Sequence, residues 1–148
     1  MENWRLRKAT ISDFGFIFRV YRTTMKEYIE QIWEWDDGAQ RQHYEQSFSA
    51  DDYKIIQLDN DDIGVVSMLP MDEYDFLARI EIMPDYQNQG IGTAIMQSLI
   101  EHAKETKHPI MLRVFKINPA QNLYKRLGFQ TMRQDDIHYD MFYATVDE

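Results

Sequence analysis

The sequence predicts an α/β (α+β) domain on a mixed, partly antiparallel central sheet of about six to seven strands, flanked by about four helices. Three observations carry that expectation. The periodic segments follow the order strand, two helices, three strands, helix, strand, helix, two strands. Two apolar runs, "YKIIQL" and "IGVVSMLP", flank the polar turn "DNDD", which is a hairpin signal. With 148 residues, 44% of them apolar, the chain is long enough for one domain, 1–148, with a real core.

Each element has a local reason. "WRLRKA" (4–9) alternates and reads as a strand. Thr10 or Ser12 suits a cap, and Asp13 suits a first helical turn. From Phe14 to Trp33 apolar residues recur at helical spacing. "WEWDDG" breaks the pattern, and Ala39 to Phe48 forms a second, shorter helix. The hairpin strands occupy 53–58 and 63–70, and "DFLARIEIM" (75–83) is a further strand, stopped by Pro84.

Gly92 to Thr106 is amphipathic, with Ile95, Met96, Leu99, Ile100 and Ala103 in one stripe. "IMLRVF" (110–115) is a strand. Asn118 and Pro119 open a helix that ends at Gly128. "FQTMRQ" and "IHYDMFYA" close the chain as two strands. On the strand at 75–83, Ile80 and Ile82 mark the expected core face, and Glu81 points away from it.

Composition excludes several functions. The chain has no cysteine, so a disulfide framework, a thiolate zinc site and a cysteine nucleophile are all ruled out. The four histidines are dispersed without ligand spacing, and no metal is expected. The net charge of −9 disfavours nucleic acid and suits a cationic small molecule or basic peptide. No apolar run has the length of a membrane span or a secretory signal, which points to the cytoplasm.

"PDYQNQGIG" lies between a strand and a helix. Free amides at a helix N-terminus, with the helix dipole, make an anion site, and glycine lets a phosphate approach the main chain. The nucleoside-triphosphate loop is excluded because no Gly-Lys pair exists. The dinucleotide fingerprint fails at its last glycine, where Ile95 stands. What is left is a backbone cradle suited to a pyrophosphate.

The surrounding residues resemble the GCN5-related N-acetyltransferase superfamily. Its core, Gln/Arg-x-x-Gly-x-Gly/Ala, reads here Gln87, Asn88, Gln89, Gly90, Ile91, Gly92. Its second landmark is similar to Asn118, Ala120 and "LYKRLGF" (123–129), and its usual opening to "WRLRKATISDFGFI". The resemblance implies the acyl-CoA N-acyltransferase fold, with the sheet splayed between the strands at 76–83 and 110–115.

It also implies acetyl-CoA as co-substrate, its pantetheine arm paired with strand backbone near Ile82 and Met83. The pyrophosphate would rest on Gln87, Asn88, Gln89, Gly90, Ile91, Gly92 and Thr93, with Asn118 near the coenzyme arm. Tyr124 would protonate the leaving thiolate; the other reading of Tyr124 is core packing with Ala120 and Leu127. Glu81 would be the base or a cation site, unless an ordered water is the base or Glu81 merely pairs with Arg79 or Arg113.

By the same resemblance the first helices shape the acceptor pocket. Trp33, Trp35, Asp36 and Asp37 would form an aromatic, anionic lip, against the alternative of core tryptophans and helix-capping aspartates. The implied enzyme transfers acetyl to a primary amine of a small molecule or peptide by direct attack, as a monomer or homodimer, with no nucleic-acid or membrane partner. The alternative is a non-catalytic acyl-CoA-binding sensor or scaffold.

Overall fold

The computed structural model describes residues 3–145; residues 1–2 and 146–148 of the expected domain lie outside the described residues. In chain order the elements are β1 (Trp4–Lys8), α1 (Phe14–Glu30), α2 (Asp37–Ser47), β2 (Lys54–Leu58), β3 (Asp61–Pro70) and β4 (Asp75–Ile82). They continue with α3 (Ile91–Thr106), β5 (Ile110–Phe115), α4 (Ala120–Arg126), β6 (Gln130–Gln134) and β7 (His138–Tyr143). The seven strands form one mixed sheet in the order β1-β2-β3-β4-β5-β7-β6. This is the architecture the sequence predicts, and element ends differ by one to three residues.

Two compact units are distinguishable, Met1–Ser67 with Arg79–Gln89, and Met68–Ala78 with Gly90–Glu148. In the first, β1 pairs antiparallel with β2 from Trp4↔Leu58 to Lys8↔Lys54, and β2 pairs antiparallel with β3. Ile17 and Val20 of α1 pack with Ala9, Ile55 and Val65, and Phe16, Phe48, Tyr53 and Met83 extend that core. The helix α1 ends at Glu30 rather than Trp33. The chain past it makes one more turn in which the Trp33 amide donates to the Ile29 carbonyl at 2.7 Å.

In the second unit, β4 runs parallel to β5 over Asp75↔Ile110, Phe76↔Met111 and Leu77↔Leu112. The strand β7 pairs antiparallel with β5 and with β6. Ile91, Ile95, Met96, Ile100 and Ala103 are the buried stripe of α3, and Leu99 is half-buried. Asn118 opens α4 by accepting the Ala120 amide on Oδ1 at 2.9 Å. Gly128 ends it at φ +106, a conformation that only glycine adopts without strain.

The entry to α1 is fixed by charge. The Asp13 carboxylate accepts the Thr10 amide at 2.8 Å and a fork from Arg7, 2.9 Å on each oxygen. Arg7 chiefly, with the Thr10 amide, pulls the Asp13 carboxyl down to about 2 against the opposing effect of burial. A depressed carboxyl stabilises the fold above its unfolded value of about 4 and loses that contribution as pH falls toward 2. We expect Asp13→Asn to remove roughly 1–2 kcal/mol at neutral pH. Urea unfolding at pH 7 and pH 2.5 checks this: the gap between wild type and variant should narrow at the lower pH.

Candidate functional site

In the second unit, the mouth of α3 begins at Gly90, in the left-handed region at φ +84. An added Cβ at Gly90 meets nothing within 4 Å, so the glycine answers the backbone conformation rather than crowding. Helix position leaves the amides of Ile91, Gly92 and Thr93 without a carbonyl one turn back, whereas the Ala94 amide already bonds the Gly90 carbonyl at 3.0 Å. These are the free donors that an anion at a helix N-terminus uses.

In the same unit Tyr124 is 8% exposed and its ring lies 5.9 Å from that of Phe129. Phe129 in turn lies 5.6 Å from Tyr143. The Phe129 amide returns to the Tyr124 carbonyl at 3.0 Å, so the left-handed turn at Gly128 holds that ring pair together. The Asn118 side-chain oxygen is engaged by α4, as its capping role predicts.

In the first unit, Met83 follows the end of β4, and its amide donates to the Ile63 carbonyl at 2.8 Å. Backbone amides alternate edges along a strand, so Ile82 directs its own to the other edge of β4. On the carbonyl of Ile82 sits the Gln87 side chain, donating Nε2 at 2.7 Å. Asn88 takes φ +62, which asparagine tolerates, and Gln89 bonds the Asp85 carbonyl at 3.0 Å. The amide-rich stretch thus uses two of its side chains to tie the loop to itself.

Glu81 pairs with Arg79, one of the readings the sequence left open. The two side chains are 7% and 9% exposed for Arg79 and Glu81. Arg79 donates Nε to Glu81 Oε1 at 3.0 Å and Nη2 to the same oxygen. Rings of Tyr21, Tyr44 and Tyr53 lie 5.2, 5.5 and 5.5 Å from the guanidinium carbon. Burial acts to lower the Arg79 pKa, but Glu81 outweighs it and the net direction is upward. Burial pushes the Tyr21 and Tyr44 phenols up, with Glu81 adding to both.

The face of β4 expected to be the core is not its most buried one. Ile80 and Ile82 are half-buried, whereas Leu77 and Arg79 on the other face are buried. Alternation reveals that two faces differ, but helices α1 and α2 cover the polar one with tyrosines, which match a cation.

Trp33, Trp35 and Asp36 line one open depression of about 580 Å³ together with Glu30, Glu34 and Asp37. Trp33 is 53% exposed, so it does not fill core. Asp36 caps α2, accepting the Ala39 amide at 3.0 Å. Trp35 donates to Asp37 at 2.6 Å, and Arg22 meets Asp37 at 2.9 Å; the two hold that carboxyl below its usual range. Glu81 does not line this depression. Tyr21 stands between them, 5.7 Å from Trp35 and 5.2 Å from Arg79.

Among the described residues, no group of three or more His, Cys, Asp or Glu side chains is placed to hold a metal ion. No helix among them is long and apolar enough to cross a membrane.

A mixed seven-stranded sheet with a glycine-started helix after β4 makes this an α/β protein with a helix mouth open to an anion. Residues 17–129 match the model of the acetyltransferase (GNAT) family, and the chain belongs to that family as an N-acetyltransferase. It is 25% identical to an N-alpha-acetyltransferase of Sulfurisphaera tokodaii over 89% of this chain and 83% of that protein. The fold is similar to a PaiA N-acetyltransferase from Thermoplasma acidophilum solved with coenzyme A. That likeness has TM-score 0.76 and 17% identity over 96% of this chain and 99% of that one. A Pyrococcus horikoshii protein, PH1933, matches with TM-score 0.77 and 15% identity over 98% and 100% of the two chains.

Sequence reasoning missed Gly64, which looks like any strand residue. A Cβ at Gly64 would overlap the Glu81 carbonyl oxygen and lie 3.1 Å from the Ile82 Cα. We expect Gly64→Ala to displace β4 and destabilise the protein by roughly 2 kcal/mol or more. Chemical denaturation measures it; an unchanged midpoint would show that β4 yields without cost.

Proposed function

We propose that the chain works as one catalytic domain in the cytoplasm, transferring acetyl from acetyl-CoA to a primary amine of a small molecule or peptide in a ternary complex. The observation carrying this reading is the helix mouth at Gly90, with free amides and open space where a side chain would stand. The family match supports the coenzyme, and relatives named N-alpha-acetyltransferase support a peptide α-amine among the acceptors.

In this reading the pyrophosphate rests on Gln87 through Thr93, and Ile82 and Met83 border the pantetheine arm. Because the Met83 amide is taken by Ile63, Ile82 is the better donor to the arm or to the developing oxyanion. Asn118 lies by the arm. Trp33, Trp35 and Asp36 gather a cationic acceptor, drawn by the carboxylates of their depression.

The amine nitrogen forms its bond to the acetyl carbon as the carbon–sulfur bond breaks. Tyr124 gives its phenolic proton to the leaving thiolate. The nitrogen's surplus proton passes to Glu81, directly or through water, and solvent restores Tyr124. Net, acetyl-CoA and amine become amide and free thiol.

Gly90→Glu should abolish acetyl-CoA binding in isothermal titration, because its carboxylate would occupy the phosphate position; unchanged affinity would overturn the cradle. Tyr124→Phe should lower turnover about a hundredfold with coenzyme affinity nearly kept. Thiol release from acetyl-CoA across an amine panel reads this. Binding without turnover for any amine would leave an acyl-CoA sensor instead of an enzyme.

A further inference from the structure

The hold on Glu81 is one-sided. Nε and Nη2 of Arg79 both meet Oε1, and Nη2 also donates to the Ile17 carbonyl at 3.2 Å. Nη1 is buried with no hydrogen-bond partner and is sheltered by the rings of Tyr21, Tyr44 and Tyr53. Arg79 thus takes one oxygen of Glu81 and leaves Oε2 to other partners. The elements packed on the pair bring tyrosines and backbone: α1 gives Tyr21 and the Ile17 carbonyl, α2 gives Tyr44, the residue before β2 is Tyr53, and β3 brings Gly64. Since burial keeps the Tyr21 and Tyr44 phenols protonated, Glu81 and Arg79 are the charges facing one another.

We infer that Arg79 is a positioning residue for the acceptor: it pins Glu81 by Oε1, offers Oε2 to the amine, and by its own charge keeps the bound amine neutral. The inference rests on the acceptor role proposed for Glu81. A lone buried carboxylate would bind an ammonium as its counter-ion, and an ammonium has no lone pair for attack. With the guanidinium beside it, the site carries no net charge. An amine there donates one N–H to Oε2 and keeps its lone pair, whereas an ammonium is opposed by Arg79.

The test is the pH dependence of kcat from pH 6 to 10 at saturating acetyl-CoA, with a saturating alanyl peptide amide as the acceptor probe. It is run on wild type, Arg79→Gln and Arg79→Lys. Removing the charge should move the acidic limb of Arg79→Gln up by about one pH unit, a loss of about tenfold at pH 7 that vanishes near pH 10. Arg79→Lys keeps the charge but not the two-point hold. It should retain the wild-type limb with kcat lowered several-fold. Coenzyme A affinity, equal in all three, reports that the variants are folded.

A loss in Arg79→Gln that is the same at every pH, or a limb displaced equally in Arg79→Lys, would overturn the positioning role. If Arg79→Gln fails to fold, the Arg79→Lys limb alone decides. Wild type that turns over with profiles superimposable on both variants would overturn only the role of Arg79. Wild type that acetylates neither this peptide nor any simple amine would overturn the acetyltransferase reading, and this inference with it.

Discussion

A guanidinium buried under three tyrosine rings is tolerable only because a carboxylate two residues along the same strand answers its charge. Taking a single ion out of water costs several kcal/mol, and removing one partner of such a pair typically costs about 3–5 kcal/mol. Much of the first unit is arranged around that requirement. The carbonyl of Ile17, the rings of Tyr21 and Tyr44 on two helices, and Tyr53 ahead of β2 all turn toward Arg79. Gly64 is part of the same requirement, since it lets β3 lie against the backbone of Glu81. An apolar pair in those positions would serve stability as well or better. The charge there is what the acceptor role proposed for Glu81 would use.

The helix mouth obeys a different constraint, that of the main chain. Two residues, two positions apart, lie in the left-handed region, Asn88 at φ +62 and Gly90 at φ +84. Each costs little for the residue that occupies it, and together they lead the chain into α3, whose first amides have no carbonyl one turn back. The side chains of Gln87 and Gln89 bond the carbonyls of Ile82 and Asp85 and brace that turn. Charge enters only through the helix dipole, so the anion cradle proposed there is compatible with a chain whose net charge is −9.

This difference explains what was legible in the sequence. The order of elements, the hairpin, the caps at Asn118 and Gly128 and the glycine-rich helix start all rest on local backbone rules, and those rules are written in neighbouring residues. The burial of Arg79 is not local. A period-two strand announces two unlike faces, and solvent is the default cover for the polar one. Only the tyrosines of α1 and α2, 35 or more positions earlier in the chain, show that this face is roofed. Asp36 had the opposite fate: its place before a helix allowed both a capping and a binding role, and the structure adds the bond to Ala39. Gly64 left no signal, because close approach between strands depends on a partner that periodicity cannot name.

The two halves of the proposed reaction inherit these two kinds of information. A donor recognised by main-chain amides needs only glycine and asparagine in the right order, so family members of low identity can share it. An acceptor recognised by side chains depends on which residues α1, α2 and β4 bring together, and here those are a tryptophan-lined acidic depression and a neutralised carboxylate joined through Tyr21. The depression is a place where cations are favoured; the Arg79–Glu81 pair is one where they are not. An amine passing from the first environment to the second would arrive attracted as an ammonium and be held as a free base. That gradient costs the protein one buried ion pair. It also separates attraction of the acceptor from its activation, two demands that a single exposed carboxylate meets only by compromise.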